Sequence, residues 1–223
     1  MNCIVITGVD GVGKTTLAKE LCRGLSKQGY EARYVYGRIV PVLSRACMWL
    51  GRTLLLSKSY KSNDYVRYRE KTRKTLQNRL LVLPYLVSIW LDYFIETWVR
   101  FLPGILSPKI LIVDRYVYDT VVSDIAAHVD LDVARFDRIL ETAFYFFPRV
   151  SRTYLMTAPE EVSLARKDDI PHKEYIRERQ QWFHHLARRP EVRQLDGTLK
   201  VEENYQLILD DLMRIGLIEG ELN

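Results

Sequence analysis

Cysteine is scarce in this 223-residue chain: Cys3, Cys22 and Cys47 stand far apart, odd in number and without a CxxC pair. That excludes a disulfide-stapled scaffold and a thiolate metal site, and it predicts a reducing compartment. The four histidines, His128, His172, His184 and His185, show no HExxH or other ligand spacing. Long apolar runs are missing as well. The longest, Leu80 to Leu91, is interrupted by Pro84 and stopped by Asp92, well short of the ~18–20 residues a membrane span needs. The opening MNCIVITGVD has no basic stretch ahead of its apolar run and enters a glycine-rich turn. It predicts a buried strand, not a signal peptide. Internal repeats, low-complexity tracts and Gly/Ser linkers are absent too. A soluble, cytoplasmic protein is expected.

Residues present in quantity bound the fold. The chain is 48% hydrophobic, too apolar for a disordered protein. At this length roughly 70–75% of the unfolded surface can be buried, so no staple is needed. Residues 1–223 are therefore read as a single domain, with an inserted lid at most. The 33 Lys and Arg exceed the 28 Asp and Glu, leaving +5, which suits anionic partners.

Short β-rich runs alternate with longer helical patterns. Cys3–Thr7, Ala32–Tyr36, Ile110–Val113, Arg152–Met156 and Val192–Leu195 read as strands, several as continuous apolar runs of the kind buried on both faces. Helical spacing covers Lys14–Gln28, Val133–Phe146, Pro159–Lys167, Lys173–Arg188 and Val201–Ile215. The stretch from about Leu43 to Leu102 is too long for one crossover helix. It predicts two or three, with Pro84 marking a start or a kink. This alternation predicts an α/β fold of three layers: a central parallel sheet, five strands, covered by helices.

One motif decides the chemistry. Gly8-Val9-Asp10-Gly11-Val12-Gly13-Lys14-Thr15-Thr16 matches GxxxxGK[ST], the Walker A phosphate-binding loop (P-loop). At ordinary glycine usage the pattern arises by chance in about one chain in a hundred of this length, and here it also lies between a strand and an amphipathic helix. Gly8, Gly11 and Gly13 permit positive φ and close backbone approach, so successive N–H groups converge on an anion. The helix N-terminus adds partial positive charge. Lys14 supplies a point charge for the β/γ-phosphates, and the Thr15 hydroxyl is placed to ligate Mg²⁺. Asp114, after the apolar run Ile110–Val113, falls at the carboxyl end of a strand, where ligands of open parallel sheets bind. It is the expected second metal group, with Thr15. ATP and Mg²⁺ are the expected cofactors.

The set GVDGVGKTT, Val113-Asp114-Arg115-Tyr116 and Leu195-Asp196-Gly197-Thr198 resembles the thymidylate kinase (dTMP kinase) family of P-loop nucleotide kinases. The resemblance covers nearly the whole chain in motif order, with the phosphate loop at 8–16, a helical acceptor region at about 43–102 and a lid at about 166–173. It implies transfer of the ATP γ-phosphoryl to dTMP, giving dTDP. It implies that Asp10 reads a sugar hydroxyl, and that Arg38 and Arg115, with Tyr116 beside it, hold the acceptor phosphate. It implies that residues around Asp196–Lys200, Asp196 and Gly197 among them, pack on adenine beside Gly8–Thr16. Family members carry a catalytic arginine in the loop or in the lid. Position 11 is glycine here, so the resemblance assigns that role to the lid, with Arg166, Lys167 and Lys173 as candidates. Lys14, Asp114, Arg115 and Arg166 thus form the expected catalytic set. A homodimer through the helices of Leu43–Leu102 is implied as well.

The acceptor half departs from the family pattern. Counting back from Pro103, the family's pocket arginine falls at Tyr93, which becomes the expected acceptor contact, and Asp119 stands in a stretch where the family shows serine. Asp92, Glu96 and Arg100 share a helix face, either as a pocket wall or as a solvated stripe. Trp90, Tyr93 and Phe94 read as base-stacking, core or interface aromatics. Lys58–Arg79 interleaves basic residues with tyrosines, which is read as an exposed helix face; nucleotides and no nucleic acid are the expected partners. A P-loop kinase for another nucleotide or small metabolite is the alternative, and a non-catalytic ATP-dependent switch is the competitor from another class.

Overall fold

The computed structural model describes residues 2–38, 45, 46, 49, 74, 78–105, 110–148, 150–166 and 173–219. Lys167, most of the expected lid and most of the basic segment Lys58–Arg79 lie outside the described residues. The chain forms two compact units, one of residues 1–37, 102–116 and 149–223, the other of residues 38–101 and 117–148.

The first unit holds a five-stranded sheet of β1 (Asn2–Gly8), β2 (Ala32–Tyr36), β3 (Ile110–Asp114), β4 (Arg152–Thr157) and β5 (Val192–Asp196). Its order is β2-β3-β1-β4-β5 and every pair is parallel. Burial follows position. All of β3, all of β1 after Asn2, and all but the two ends of β4 are buried, whereas the edge strands β2 and β5 mix buried and exposed residues. Central strands covered on both faces must be apolar throughout, and these are the strands that read as unbroken apolar runs.

Helices flank the sheet: α1 (Lys14–Lys27), α5 (Glu160–Ala165), α6 (Lys173–Leu186) and α7 (Val201–Arg214) belong wholly to this unit. In α1, Leu17, Ala18, Leu21 and Leu25 form a single buried stripe, which lies against β2, β3 and α7. Cys3 is wholly buried in β1, and burial pushes its thiol up to about 12, so it packs as an inert apolar group. A polar anchor ties β4, β5 and α7. Asp211 accepts hydrogen bonds from Arg152 Nε at 2.7 Å and Nη2 at 3.1 Å, from Tyr154 Oη at 2.9 Å, and from Arg193 Nη1.

The second unit contains most of α2 (Arg79–Ile105), α3 (Val117–Thr120), a π-helical turn over Val121–Ala126, and α4 (Val133–Phe146). Asn78 caps α2 through Leu80 N–H to Oδ1 at 2.9 Å. The helix therefore begins five residues before Pro84, which does not mark its start. The α3 and π-turn segment escapes the sequence pattern because nearly every residue from Val117 to Ala127 is buried, leaving no polar face to set a period. Asp132 caps α4, accepting from Arg135 N–H at 2.7 Å. On α2, Tyr85, Ile89, Tyr93 and Thr97 face inward at four-residue spacing, while Leu83, Val87, Leu91, Ile95 and Val99 form an exposed apolar stripe. No helix among the described residues is long and apolar enough to cross a membrane.

Candidate active site in the first unit

In a parallel sheet all strands end on one edge. Register sets Ile6 and Tyr36 opposite Asp114, Gly8 opposite Met156 and Thr157 opposite Asp196. The groups singled out by the sequence therefore converge on the carboxyl edge. Between β1 and α1 the loop turns on Gly8, Gly11 and Gly13, with φ of 140°, 87° and 94°. At Gly11 a Cβ would also collide with the Ser163 carbonyl, so a side chain is excluded twice over.

Lys14 is 3% exposed. Its ammonium donates to the Gly8 carbonyl at 2.7 Å and the Val9 carbonyl at 2.6 Å, with Asp10 Oδ1 at 3.9 Å. The lysine is thus folded across its own loop, its charge held against two loop carbonyls and beside the Asp10 carboxylate. Thr15, in the first turn of α1, donates from Oγ1 to Asp114 Oδ2 at 2.6 Å. A hydroxyl that donates its proton keeps its lone pairs for a cation. Thr16, beside it, is exposed in the same turn.

Asp114 is fully buried. Its Oδ2 takes a second hydrogen bond, from Tyr34 Oη at 2.9 Å. Its Oδ1 is buried with no hydrogen-bond partner. An orphaned carboxylate oxygen of this kind calls for a cation or a cation's water, so Thr15 and Asp114 fit Mg²⁺. Among the described residues no group of three or more His, Cys, Asp and Glu side chains could hold a metal. A cation here would take the rest of its shell from phosphate and water, the usual habit of Mg²⁺. Burial, then the Asp114 charge and hydrogen bond, push the Tyr34 phenol upward, so it stays a proton donor.

Arg115 follows with φ of 68°, the one non-glycine residue at positive φ among those described. Its N–H bonds the Ile6 carbonyl at 2.9 Å, and the neighbouring Gly37 N–H bonds the Asp114 carbonyl at 2.9 Å. A Cβ at Gly37 would collide with the Arg115 carbonyl. A left-handed arginine held from both sides is the kind of backbone strain that clusters at functional sites. The Arg115 guanidinium donates to Asp10 Oδ1, and Tyr175 Oη donates to Asp10 Oδ2 at 2.9 Å. Arg179 lies over the Tyr175 ring, 3.4 Å from its centre. Asp10 thus gathers Lys14, Arg115 and Tyr175.

On the far side of the loop, Gly197 N–H bonds the Thr157 carbonyl at 2.7 Å, and Arg166 Nη1 donates to the Gly197 carbonyl at 2.6 Å. The Asp196 carboxylate accepts from Thr198 Oγ1 at 2.6 Å and Thr198 N–H at 2.8 Å, bonds that hold its carboxyl below the usual range. Lys173 opens α6, past the segment outside the description.

Other expected residues fall elsewhere. Tyr116 is wholly buried. Arg38 belongs to the second unit, where it pairs with Asp124 at 3.6 Å while its carbonyl accepts from Arg100 Nη1 at 2.9 Å. Arg100 also pairs with Glu96 at 3.2 Å. In the stripe of Asp92, Glu96 and Arg100, Asp92 is buried at 5% exposure, whereas Glu96 and Arg100 pair with each other while partly exposed. Tyr93 is buried edge-on to Phe147 at 4.8 Å, and Trp90 stacks on the same ring at 5.3 Å. Tyr93 thus acts as core, whereas Phe94, 6.0 Å from Phe147, is 41% exposed. The cavity that Trp90, Tyr93 and Phe147 border with Ile89 and Val121 has a volume of about 10 Å³, the room of one water and far too small for a base.

Sequence reasoning missed Tyr34, Tyr175 and Arg179. Tyr34 in Ala32–Tyr36 reads as ordinary strand composition, and its role emerges only once β2 is seen to pair with β3. Tyr175 and Arg179 carry a weak signal, four residues apart on one helix face. Compared with known proteins, the chain matches no family model and no curated protein.

Proposed function

We propose that this protein is an ATP-dependent phosphotransferase of the thymidylate kinase type, moving the γ-phosphoryl of ATP to dTMP. The observation that carries the reading is the convergence of Lys14, Thr15 and a buried Asp114 with one orphaned oxygen beside a loop of three positive-φ glycines. An ATP triphosphate chain lies along the loop, where N–H groups and the α1 N-terminus meet its charge. The Lys14 ammonium sits over the β/γ-phosphates. Thr15 and Asp114 would hold Mg²⁺ arriving with the nucleotide, and its charge would offset that of the phosphates. Arg115, fixed by its backbone, presents its guanidinium to the acceptor phosphate, with Asp10 orienting it and reading the sugar hydroxyl. Positioning and charge neutralisation supply most of the catalysis in such transfers. A non-catalytic switch has no use for a strained acceptor arginine.

Arg166 completes the charge set. It sits at the C-terminus of α5, where the lid begins, and already touches the Gly197 carbonyl. Arg166→Ala is expected to lower kcat about 10²-fold, the cost of losing one transition-state donor, with ATP affinity unchanged. Steady-state kinetics against direct ATP binding check this, and an unchanged kcat removes the role.

A second acceptor reading has its own support. Tyr93, the expected acceptor contact, is buried against Phe147, and Asp119 stands where the family shows serine. An acceptor other than dTMP, another nucleotide or a small metabolite, fits that departure. Coupled ADP release with Mg-ATP and separate acceptors distinguishes the two: turnover with dTMP supports the first, and turnover only with another acceptor supports the second.

The exposed stripe of Leu83, Val87, Leu91, Ile95 and Val99 supports a homodimer, since monomers rarely leave so continuous an apolar face in water. Sedimentation of the full chain is expected to read two copies, and a monomer at micromolar concentration contradicts the dimer.

A further inference from the structure

Two donors meet at the Asp114 carboxylate: Thr15, of the expected metal pair, and Tyr34, which belongs to no expected site. Thr15 Oγ1 and Tyr34 Oη both donate to Oδ2, at 2.6 and 2.9 Å, while Oδ1 is left buried with no partner. Two donors on one oxygen fix the plane of a carboxylate. They also decide which oxygen is offered. Tyr34 reaches the site because parallel pairing sets it beside Ile112, and Ile112 and Asp114 lie on one face of β3. Its ring is steadied by the Lys19 ammonium, 5.8 Å from the ring centre.

We infer that Tyr34 is a positioning residue for the divalent cation: by donating to Oδ2 it locks the Asp114 carboxylate so that Oδ1 faces the metal and its water. Without the phenol, Thr15 alone holds Oδ2, and the carboxylate can turn about its Cβ–Cγ bond. Outer groups that orient a ligand in this way typically govern metal affinity by about 10–100-fold. Tyr34 touches no phosphate in this account, so metal-free nucleotide binding should not depend on it. The inference rests on the nucleotide reading proposed above.

The test is equilibrium calorimetry of ADP binding, with and without Mg²⁺, on the full chain. The wild-type chain is measured first: failure to bind ADP at all refutes the nucleotide reading itself. Given binding, Tyr34→Phe is expected to keep metal-free ADP affinity within twofold while the gain on adding Mg²⁺ falls about tenfold. The loss should vanish in the Asp114→Asn background, because Tyr34 acts through that carboxylate. A Tyr34→Phe chain with the full Mg²⁺ gain overturns the inference, as does a loss that persists in Asp114→Asn. Should Tyr34→Phe lose metal-free binding as well, Tyr34→His, which restores a ring donor, must recover the Mg²⁺ gain; a failure to do so also overturns it.

Discussion

Lys14→Met is expected to reduce phosphoryl transfer by about 10³-fold, the upper range for removing one electrostatic donor from a transition state. The geometry explains why methionine cannot compensate. The ammonium is held by the Gly8 and Val9 carbonyls at 2.7 and 2.6 Å, so its charge is fixed before any phosphate arrives. A charge placed in advance costs no reorganisation during the reaction. Methionine keeps the stem and loses both the donors and the charge. Lys14→Arg is not expected to rescue, because a planar fork does not fit a pocket shaped for a tetrahedral ammonium. Single-turnover transfer from labelled ATP reads the loss, with a thermal melt to show that both variants fold. Turnover within tenfold of wild type contradicts the role given to Lys14.

The second large effect concerns stability. Asp211 is 1% exposed and receives Arg152 in a two-pronged contact, Tyr154 and Arg193. Asp211→Ala leaves two guanidinium groups and a phenol without their acceptor. Removing one partner of a buried pair costs about 3–5 kcal/mol. The arginine side chains are 22% and 29% exposed, so water recovers part of this, and a loss of about 2–4 kcal/mol is expected. For a chain of this size that lowers Tm by roughly 5–12 °C. Burial pushes the Asp211 carboxyl up, but the hydrogen bonds from Arg152 and Tyr154 and the charges of Arg152 and Arg193 outweigh it, leaving it below the usual range. The anchor's contribution is therefore full above the unfolded carboxyl value of about 3.9, and it fades as pH falls through the lower folded value. Denaturant melts of wild type and Asp211→Asn should differ most near neutrality and converge below about pH 4. A constant difference across that range contradicts the assignment.

The sheet was legible because its central strands need apolar residues on both faces. Ile110–Val113 and Cys3–Thr7 therefore stand out, and β2 begins and ends where the pattern put it. Gly8 to Thr15 was legible because its backbone geometry demands those residue types. Other features were not. Nearly every residue from Val117 to Ala126 is buried, so no periodicity betrays its helical turns. Asn78, not Pro84, starts α2, since a capping side chain outranks a proline that can sit inside the helix. Tyr34 becomes a neighbour of Asp114 only through strand order, which no local pattern encodes. Asp211 and its two arginines are distributed over β4, β5 and α7, and each reads alone as an ordinary charge.

The central claim is transfer of a phosphoryl group from ATP to a nucleoside monophosphate. ³¹P NMR of the full chain with Mg-ATP and dTMP tests it most directly, because it identifies the bond formed. The account predicts that the dTMP phosphate signal is replaced by a diphosphate pair as ATP becomes ADP, and that neither change occurs with Lys14→Met. ADP appearing together with inorganic phosphate, with dTMP and each of the other nucleoside monophosphates left intact, contradicts it.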